Sequence, residues 1–260
     1  VRTKNFTWTI GGNFTKNENE VTKLAPGVDQ FSVEAAFTGI GSYAIVGQPY
    51  GAVFGTKWQR NDAGQLVIGA NGLPLRATEE GFLGNPYPDW TAGVNSLLSY
   101  KGLSLSGLLD IRQGGILWNG TLARLHRIGK TQESADGRDK AYIIEGVKAD
   151  GTANDIPVSS LQYFGTYKGD LGAYAVENAI QDGSWIRLRE VTLSYTLPKI
   201  NKYLKGITVY ATGRNLWLST DYQGVDPETS LTGAGSSIGG FDYFNMPGAR
   251  SYIVGLRTNF

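Results

Sequence analysis

The sequence predicts an all-β protein whose strands form an antiparallel transmembrane β-barrel segment. Three observations support this prediction: apolar and polar residues alternate with a period of two, long and short connections alternate between strands, and glycine and aromatic residues are abundant. The 260 residues include 36 Gly, 14 Tyr, 10 Phe and 6 Trp, but only 18% are charged. Glycine suits tight turns, and aromatic residues suit sheets and membrane interfaces. The sequence contains no run of about 18 apolar residues, as a transmembrane helix would require.

About seven strands are predicted, at 3–16, 44–59, 89–101, 102–117, 184–197, 206–218 and 249–260. The clearest has an apolar or glycine residue at every second position: Leu103, Leu105, Gly107, Leu109 and Ile111. The residues between them are mostly polar, including Ser104, Ser106 and Asp110. Because successive side chains of a strand point to opposite faces, we expect the apolar face to contact lipid. The orientation of 206–218 stays open, because its two faces are hard to separate.

The connections between these strands differ in length. Residues 60–88, 118–183 and 219–248 are long and rich in Gly, Asn and Asp, whereas 101–102 and 198–205 are short. Bacterial outer-membrane barrels have long loops on the extracellular side and short turns on the periplasmic side. We therefore expect 118–183 and 219–248 on the extracellular side and 198–205 opposite. Residues 17–43 break this pattern, because they form a long connection where a short periplasmic one is expected.

Two stretches resemble transporters of the SusC/RagA family, which are TonB-dependent. The first reads GNPYPDWTAG at 84–93, continues through SYKGLSL at 99–105, and reaches Gly114-Gly115 and Asn119. The second reads WIRLREVTLSYTLP at 185–198 and continues through GRNLW at 213–217, GVDPE at 224–228 and PGAR at 247–250 to Phe260. The segment VGQPYG at 46–51 is a third similar stretch.

The resemblance implies that 1–260 is the C-terminal part of a larger barrel of about 22 strands. Seven strands cannot close such a barrel, so the plug domain, the TonB box and the earlier strands are expected upstream of this chain. The implied function is active import of a bulky nutrient, an oligosaccharide or a peptide, across the outer membrane of a Gram-negative cell. This chain would form part of the barrel wall and the extracellular loops, with its C-terminus in the periplasm.

The resemblance also implies partners. A SusD-like lipoprotein would act as a lid over the extracellular loops, and the TonB complex would act through the missing plug region. Outer-membrane lipid and the barrel assembly machinery would contact the strands, and two transporter–lid pairs could form a dimer. Nucleic acid is not expected, because the formal charge is only +1 and no basic tract is present.

The candidate contacts to a substrate or lid lie in the last long connection. They are four aromatic residues and one acid: Tyr222, Asp226, Phe241, Tyr243 and Phe244. Aromatic rings can stack on sugar or peptide ligands, or can pack the connection against neighbouring loops or a lid partner. The sequence leaves these two roles open.

The candidate membrane-insertion signal is the final strand, with alternate residues Tyr252, Val254, Leu256 and Phe260. Similar barrels end on an aromatic residue, and the assembly machinery reads that strand through its unpaired edge. Phe260 could also serve simply as a lipid-facing aromatic residue at the periplasmic interface.

No enzymatic activity, cofactor or metal site is predicted. His126 is the only histidine, there are no cysteines, and no nucleophile motif is present. The glycines at 233–240 fit neither a dinucleotide fingerprint nor a P-loop. Residues 69–74 lack the carboxylates that a calcium ion would need.

Charged residues on the strands give a further expectation. Asp110, Arg112, Glu190 and Arg257 should point away from lipid, because a lipid-facing Arg costs about 2–4 kcal/mol at mid-membrane. Salt bridges from the wall to the plug are favoured over substrate contacts as their role.

Two other classes of protein would share part of this pattern. A soluble carbohydrate-binding β-sandwich would bury one face of each strand against a second sheet. A structural or adhesin-like outer-membrane barrel would lack the plug domain upstream. The aromatic ends of the strands favour a membrane protein over the sandwich.

Overall fold

The computed structural model describes residues 1–198, 206–231 and 239–259. Its strands are β1 Phe6–Lys16, β2 Gln30–Phe37, β3 Ile40–Ile45, β4 Ala52–Gly55, β5 Gly81–Gly84, β6 Trp90–Tyr100, β7 Leu103–Gln113, β8 Ile116–Asn119, β9 Ala141–Tyr142, β10 Val158–Ser159, β11 Ile180–Asp182, β12 Trp185–Leu197, β13 Gly206–Ser219, β14 Phe241–Asp242 and β15 Ser251–Asn259. The helices are α1 Gly120–Arg127 and α2 Gln132–Asp136, with a π-helical segment at Leu161–Tyr167 and a 3₁₀ helix at Val176–Ala179.

The largest element is a six-stranded sheet in the order β1-β6-β7-β12-β13-β15, in which every neighbouring pair is antiparallel. A two-residue turn joins β6 to β7. Both turn residues have positive φ, 45° at Lys101 and 86° at Gly102, as a type I′ hairpin requires. A Cβ on Gly102 would lie 2.8 Å from the carbonyl oxygen of Thr196, so the turn also needs glycine for space.

The register gives the six-stranded sheet one apolar and one polar face. Residues paired across strands share a face. One row across all six strands is entirely apolar: Trp8, Leu98, Leu105, Leu193, Ala211 and Val254. The neighbouring row on the opposite face carries hydroxyl groups up to its final glycine: Thr7, Ser99, Ser104, Ser194, Tyr210 and Gly255. The register also gives β13 the orientation that the sequence left open.

A β-bulge interrupts β12. Leu188 pairs with Leu109 of β7, and Glu190 pairs with the next residue, Leu108, so Arg189 is one extra residue in β12. A bulge bends its strand and increases the local twist.

The predicted strand at 44–59 is wrong. Residues 46–51 form a turn in which Gly47 and Gly51 have positive φ, and the residues on either side belong to β3 and β4. These strands lie in a separate four-stranded sheet, β2-β3-β4-β5, so the described part of the six-stranded sheet has one strand fewer than predicted. The other six predicted strands match strands of this sheet, with ends that differ by up to four residues.

Without a strand at 44–59, residues 17–43 are no longer a long connection at the periplasmic end, where a short one was expected. The first connection now runs over 17–89, the second over 114–184 and the third over 220–250. Because successive strands of the sheet are antiparallel, all three long connections leave the same end of the sheet. The turn at 101–102 lies at the opposite end. Most of the predicted short connection at 198–205 falls outside the described residues, as do 232–238 with Gly233 and Gly235, and Phe260.

The long connections are folded, with helices that the sequence pattern did not reveal. Asn119 caps α1 by accepting a hydrogen bond of 2.9 Å from the Leu122 amide, and Thr131 forms a capping box with Ser134 at the start of α2. Among the described residues, no helix has the length and apolar character needed to cross a membrane.

Two groups of buried residues hold the connections together. The first combines residues of all three connections: Ile40, Val53, Trp118, Ala123, Val176, Ala179 and Phe241. The second combines residues of the first and second connections: Trp58, Leu66, Ile68, Ile144, Val158 and Ala175. The connections therefore form a packed body at one end of the six-stranded sheet.

Candidate functional site

An aromatic cluster joins the three long connections. Its members are Phe37, Trp118, Phe241, Tyr243 and Phe244. The ring of Phe37 lies 5.1 Å from that of Trp118 and 4.6 Å from that of Tyr243, and Trp118 and Tyr243 are stacked 6.2 Å apart. Phe241 is fully buried, whereas Phe244 is 52% exposed. Within this chain, Phe244 and the partly buried Tyr243 are therefore the predicted aromatic contacts that a ligand or a lid could reach.

Tyr222 is buried in a polar contact. Its hydroxyl donates a hydrogen bond of 2.5 Å to Asp242, which is also buried and accepts another from the Thr121 hydroxyl at 3.2 Å. Burial raises the pKa of Tyr222, and the hydrogen bond to Asp242 adds to this shift. Asp242 thus links Tyr222 within the third connection to Thr121 of α1, which favours a structural role for Tyr222.

Replacing Tyr222 with phenylalanine should weaken this contact, because the buried Asp242 carboxylate then loses the Tyr222 hydroxyl as a donor and keeps that of Thr121. A lost hydrogen bond to a buried charged group costs about 1–3 kcal/mol. Hydrogen exchange of the peptides around 220–231 and 239–250 should become faster, while β6 and β7 stay protected. Tyr252→Phe, at an exposed residue of β15, is the matched control. Equal exchange in the two variants would contradict the structural role.

Asp226 belongs to a partly buried ionic network, which we call the arginine cluster: Arg187, Arg189, Asp110, Asp226 and Glu228. Arg187 is only 4% exposed and donates a hydrogen bond of 2.5 Å to Asp226. Its Nε lies 2.9 Å from Glu228. Asp226 also accepts a hydrogen bond from the Glu228 amide at 3.0 Å, which fixes the turn around Pro227.

Arg189 completes the arginine cluster at the β-bulge. It donates to Asp110 of β7 at 2.7 Å and forms a bidentate pair with Glu228. The guanidinium groups of Arg187 and Arg189 lie 5.6 and 5.1 Å from the ring centre of Trp185, within cation–π range. The arginine cluster thus attaches the third connection to the end of β12.

Arg112 makes a related contact with the first connection. It lies on the same face of the sheet as Asp110, and its Nη2 donates a hydrogen bond of 2.6 Å to the carbonyl of Pro86. Three of the stretches that resemble SusC/RagA-type transporters lie around 84–93, 185–198 and 224–228. These contacts bring them together at the end of β7 and β12.

The polar face carries a cavity of about 410 Å³. Its walls are mostly hydroxyl-bearing residues, together with three charged residues: Ser106, Thr192, Ser194, Thr208, Tyr210, Thr212, Glu190, Arg214 and Arg257. Arg214 donates a hydrogen bond of 2.9 Å to Glu190, and the Thr192 and Thr212 hydroxyls are 2.7 Å apart. The register places Asp110, Arg112, Glu190 and Arg257 opposite the apolar face, as expected from the cost of charge in lipid.

The three described residues of the predicted insertion signal lie on the exposed apolar face. Tyr252, Val254 and Leu256 are exposed on β15, which is an edge strand of the described sheet. Their role in insertion stays a prediction.

His126 is buried in the second connection. Its Nδ1 lies 3.1 Å from the Thr131 hydroxyl and its ring stacks on Phe164. Burial lowers the pKa of His126. In the described ranges, no three His, Cys, Asp or Glu residues are grouped so as to hold a metal ion.

Together these features define an all-β protein with a two-faced antiparallel sheet and three folded connections gathered at one end. No family model matches the chain. Among curated proteins, it is 27% identical over 291 residues to one TonB-dependent receptor of Formosa agariphila and 29% identical over 288 residues to another. It is also 27% identical over 287 residues to the TonB-dependent receptor SusC of Bacteroides thetaiotaomicron.

These alignments cover the whole of this chain but only 27%, 28% and 25% of the respective relatives. The chain therefore spans about a quarter of their length. Solved structures of the RagAB peptide transporter, and of the RagAB peptide importer in its open-open state, match the whole chain with TM-scores of 0.68 and 0.65. Both are 20% identical in sequence, and the match covers 28% and 27% of their chains. The resemblance to the SusC/RagA family of TonB-dependent transporters is confirmed.

Proposed function

We propose that this chain forms part of the wall of an outer-membrane β-barrel that imports a bulky nutrient in a TonB-dependent manner. The observation that carries the proposal is the six-stranded sheet with one apolar and one polar face. The apolar face would contact lipid, the polar face would line the lumen, and the three long connections would lie outside the cell.

The exposure of the apolar face supports a lipid environment. Leu193 is 49% exposed and Val254 is 80% exposed, and the described residues place no second sheet over this face. A contiguous apolar surface of this extent is rare on a soluble monomer. A β-sandwich would bury these side chains against a second sheet. The soluble carbohydrate-binding alternative is therefore disfavoured.

Aromatic residues lie at both ends of the apolar face. Phe14 and Trp90 contact each other, with ring centres 5.7 Å apart, at the end that carries the long connections. Tyr100 and Tyr195 flank Leu103 at the end that carries the hairpin turn. Aromatic residues concentrate at both interfaces of membrane barrels. β6 and β7 have 11 residues each, which is the length that a strand tilted by about 45° needs to cross a bilayer.

The orientation follows from this placement. The short turn at 101–102 would lie in the periplasm, and the four crossings that follow, by β7, β12, β13 and β15, would bring the C-terminus back to the same side. The chain would be the C-terminal part of the barrel, with the plug domain and the earlier strands upstream. β15, with Tyr252, Val254 and Leu256, would present the edge that the assembly machinery reads.

The partners are proposed on the same basis. A SusD-like lipoprotein would cover the long connections, with Tyr243 and Phe244 as candidate contacts, and two transporter–lid pairs could associate. TonB would act through the upstream plug. We propose a role in transport without covalent chemistry, and the substrate class stays between oligosaccharide and peptide.

Membrane fractionation and uptake of labelled nutrients test the proposal together. The full-length protein should enter the outer-membrane fraction, and labelled oligosaccharide or peptide should enter cells only when the protein and the proton gradient are both present. A protein in the soluble fraction would support the β-sandwich. An outer-membrane protein whose loss or de-energisation leaves uptake of both labels unchanged would support the structural or adhesin-like barrel.

A further inference from the structure

The second connection contains a cavity of about 350 Å³ that differs from the polar-face cavity in position and in charge. It lies between α1, the residues that follow α2, and the π-helical segment. Six of its lining residues carry the argument: His126, Arg127, Arg138, Ser160, Leu161 and Phe164. Two are arginines, and none of the described residues that line it is acidic. We infer that this cavity binds a small organic anion, namely a carboxylate joined to an apolar group.

The positive charges of Arg127 and Arg138 are not fully balanced by acidic residues of the described chain. Asp170 is the acid that approaches Arg127, and it is held more closely by Arg124, at 3.0 Å, than by Arg127, at 3.5 Å. Arg138 has no ion pair with any described residue. A guanidinium group offers a planar fork of N–H donors that matches the two oxygens of a carboxylate. The excess of positive charge therefore favours an anion in this cavity.

The rest of the cavity is suited to an apolar group. Leu161 is 63% exposed and Ile128 is also exposed, although both line the cavity. The buried Phe164 ring, stacked on His126 with 5.8 Å between ring centres, adds an aromatic surface. Small-molecule sites typically combine an apolar lining with a few polar groups that fix orientation. A ligand with a carboxylate and a ring would use both parts, whereas a bare anion would leave the apolar part exposed.

The site is independent of the proposed transport function. None of its lining residues belongs to the arginine cluster, the aromatic cluster or the six-stranded sheet. Its test measures binding to the purified protein, so a failure to bind leaves the transport proposal standing, and a failure of transport leaves this site standing.

Phenylacetate, phenylacetamide and acetate form a matched set of probes. Phenylacetamide keeps the ring but has no charge, and acetate keeps the charge but has no ring. Saturation-transfer NMR and titration with the full-length protein in detergent should show binding of phenylacetate, with the other two at least about tenfold weaker. Arg138→Gln should lower the affinity for phenylacetate by about tenfold, as expected for loss of one charge-assisted hydrogen bond.

Two further variants make the result decisive. Arg76→Gln removes the same charge from an exposed residue outside the cavity and should leave phenylacetate binding unchanged. Leu161→Ser should weaken phenylacetate but not acetate. No binding of phenylacetate, equal binding of phenylacetamide, or equal losses in the two arginine variants would each overturn the inference. The thermal unfolding temperature of each variant should equal that of the wild type. A loss of binding then reflects a change in the cavity and not a loss of the fold.

Discussion

Replacing Leu105 with arginine should remove most of the protein from the outer membrane, whereas Ser106→Arg should leave its level close to that of the wild type. The two residues are adjacent in β7, but Leu105 lies in the apolar row and Ser106 lines the polar-face cavity. Arginine on the lipid face of a barrel costs about 2–4 kcal/mol near the bilayer centre. On the polar face, the same side chain can be hydrated or can pair with Glu190, which lines the same cavity.

Outer-membrane fractionation and heat-modifiable mobility on gels would measure the folded amount of each variant. This pair is informative because the two variants differ by one position in the chain and add the same charge. If Ser106→Arg were lost from the outer membrane while Leu105→Arg was retained, the assignment of the apolar face to lipid and of the polar face to the lumen would have to be reversed. Equal retention of both would show that the apolar face does not contact lipid.

Replacing Asp226 with alanine should release the third connection from β12. Arg187 is almost fully buried, and without Asp226 the partly exposed Glu228 is the one carboxylate among the described residues that still pairs with its charge. Removing one partner of a buried ion pair typically costs about 3–5 kcal/mol, because the other charge stays buried and poorly compensated. Hydrogen exchange at 220–231 and 239–250 should therefore accelerate strongly, while exchange in β6 and β7 changes little.

Two controls separate the ion pair from a general effect of mutation. Asp221→Ala removes an exposed carboxylate from the same connection and should change exchange little. The double variant Arg187→Met with Asp226→Leu replaces the pair by apolar residues and should recover part of the lost protection, because no unpaired charge remains. A double variant that exchanges as fast as Asp226→Ala would show that the pair itself does not hold the connection.

The strands of the six-stranded sheet could be predicted because each carries a local signal. An exposed apolar face and a polar face produce an alternation that can be read in a single strand, as in β7. The prediction failed at 44–59 because the two faces there are not distinct. Ala52 and Val53 are consecutive and both fully buried, so β4 has no solvent- or lipid-facing side to mark it. The glycines of the intervening turn, Gly47 and Gly51, were the available signal for a break.

The candidate site was only partly predictable. The sequence predicts Asp226 as a contact to a substrate or lid. Its partner in the structure, Arg187, is 39 residues away in the chain, so the ion pair becomes visible only when the chain is folded. The capped helices α1 and α2 are short, and their local signals, Asn119 and the Thr131–Ser134 pair, stand in a region without clear periodicity. Contacts of this kind depend on packing between the connections, which alternation along one strand does not encode.

The extra residue at Arg189 changes which side chains of β12 lie on the apolar face. Beyond the bulge, the odd-numbered residues Val191, Leu193 and Tyr195 face the apolar side. In an unbroken strand the same parity would place Arg187 on the apolar face as well. The bulge offsets the alternation by one, so Arg187 pairs with Asp110 on the polar face instead. One strand can therefore contribute to the apolar face along most of its length and attach the third connection through ion pairs at its end. Deleting Arg189 would leave Leu188 paired with Leu109 and Glu190 with Leu108, so both faces would be kept and only the contacts of Arg189 with Asp110 and Glu228 would be lost.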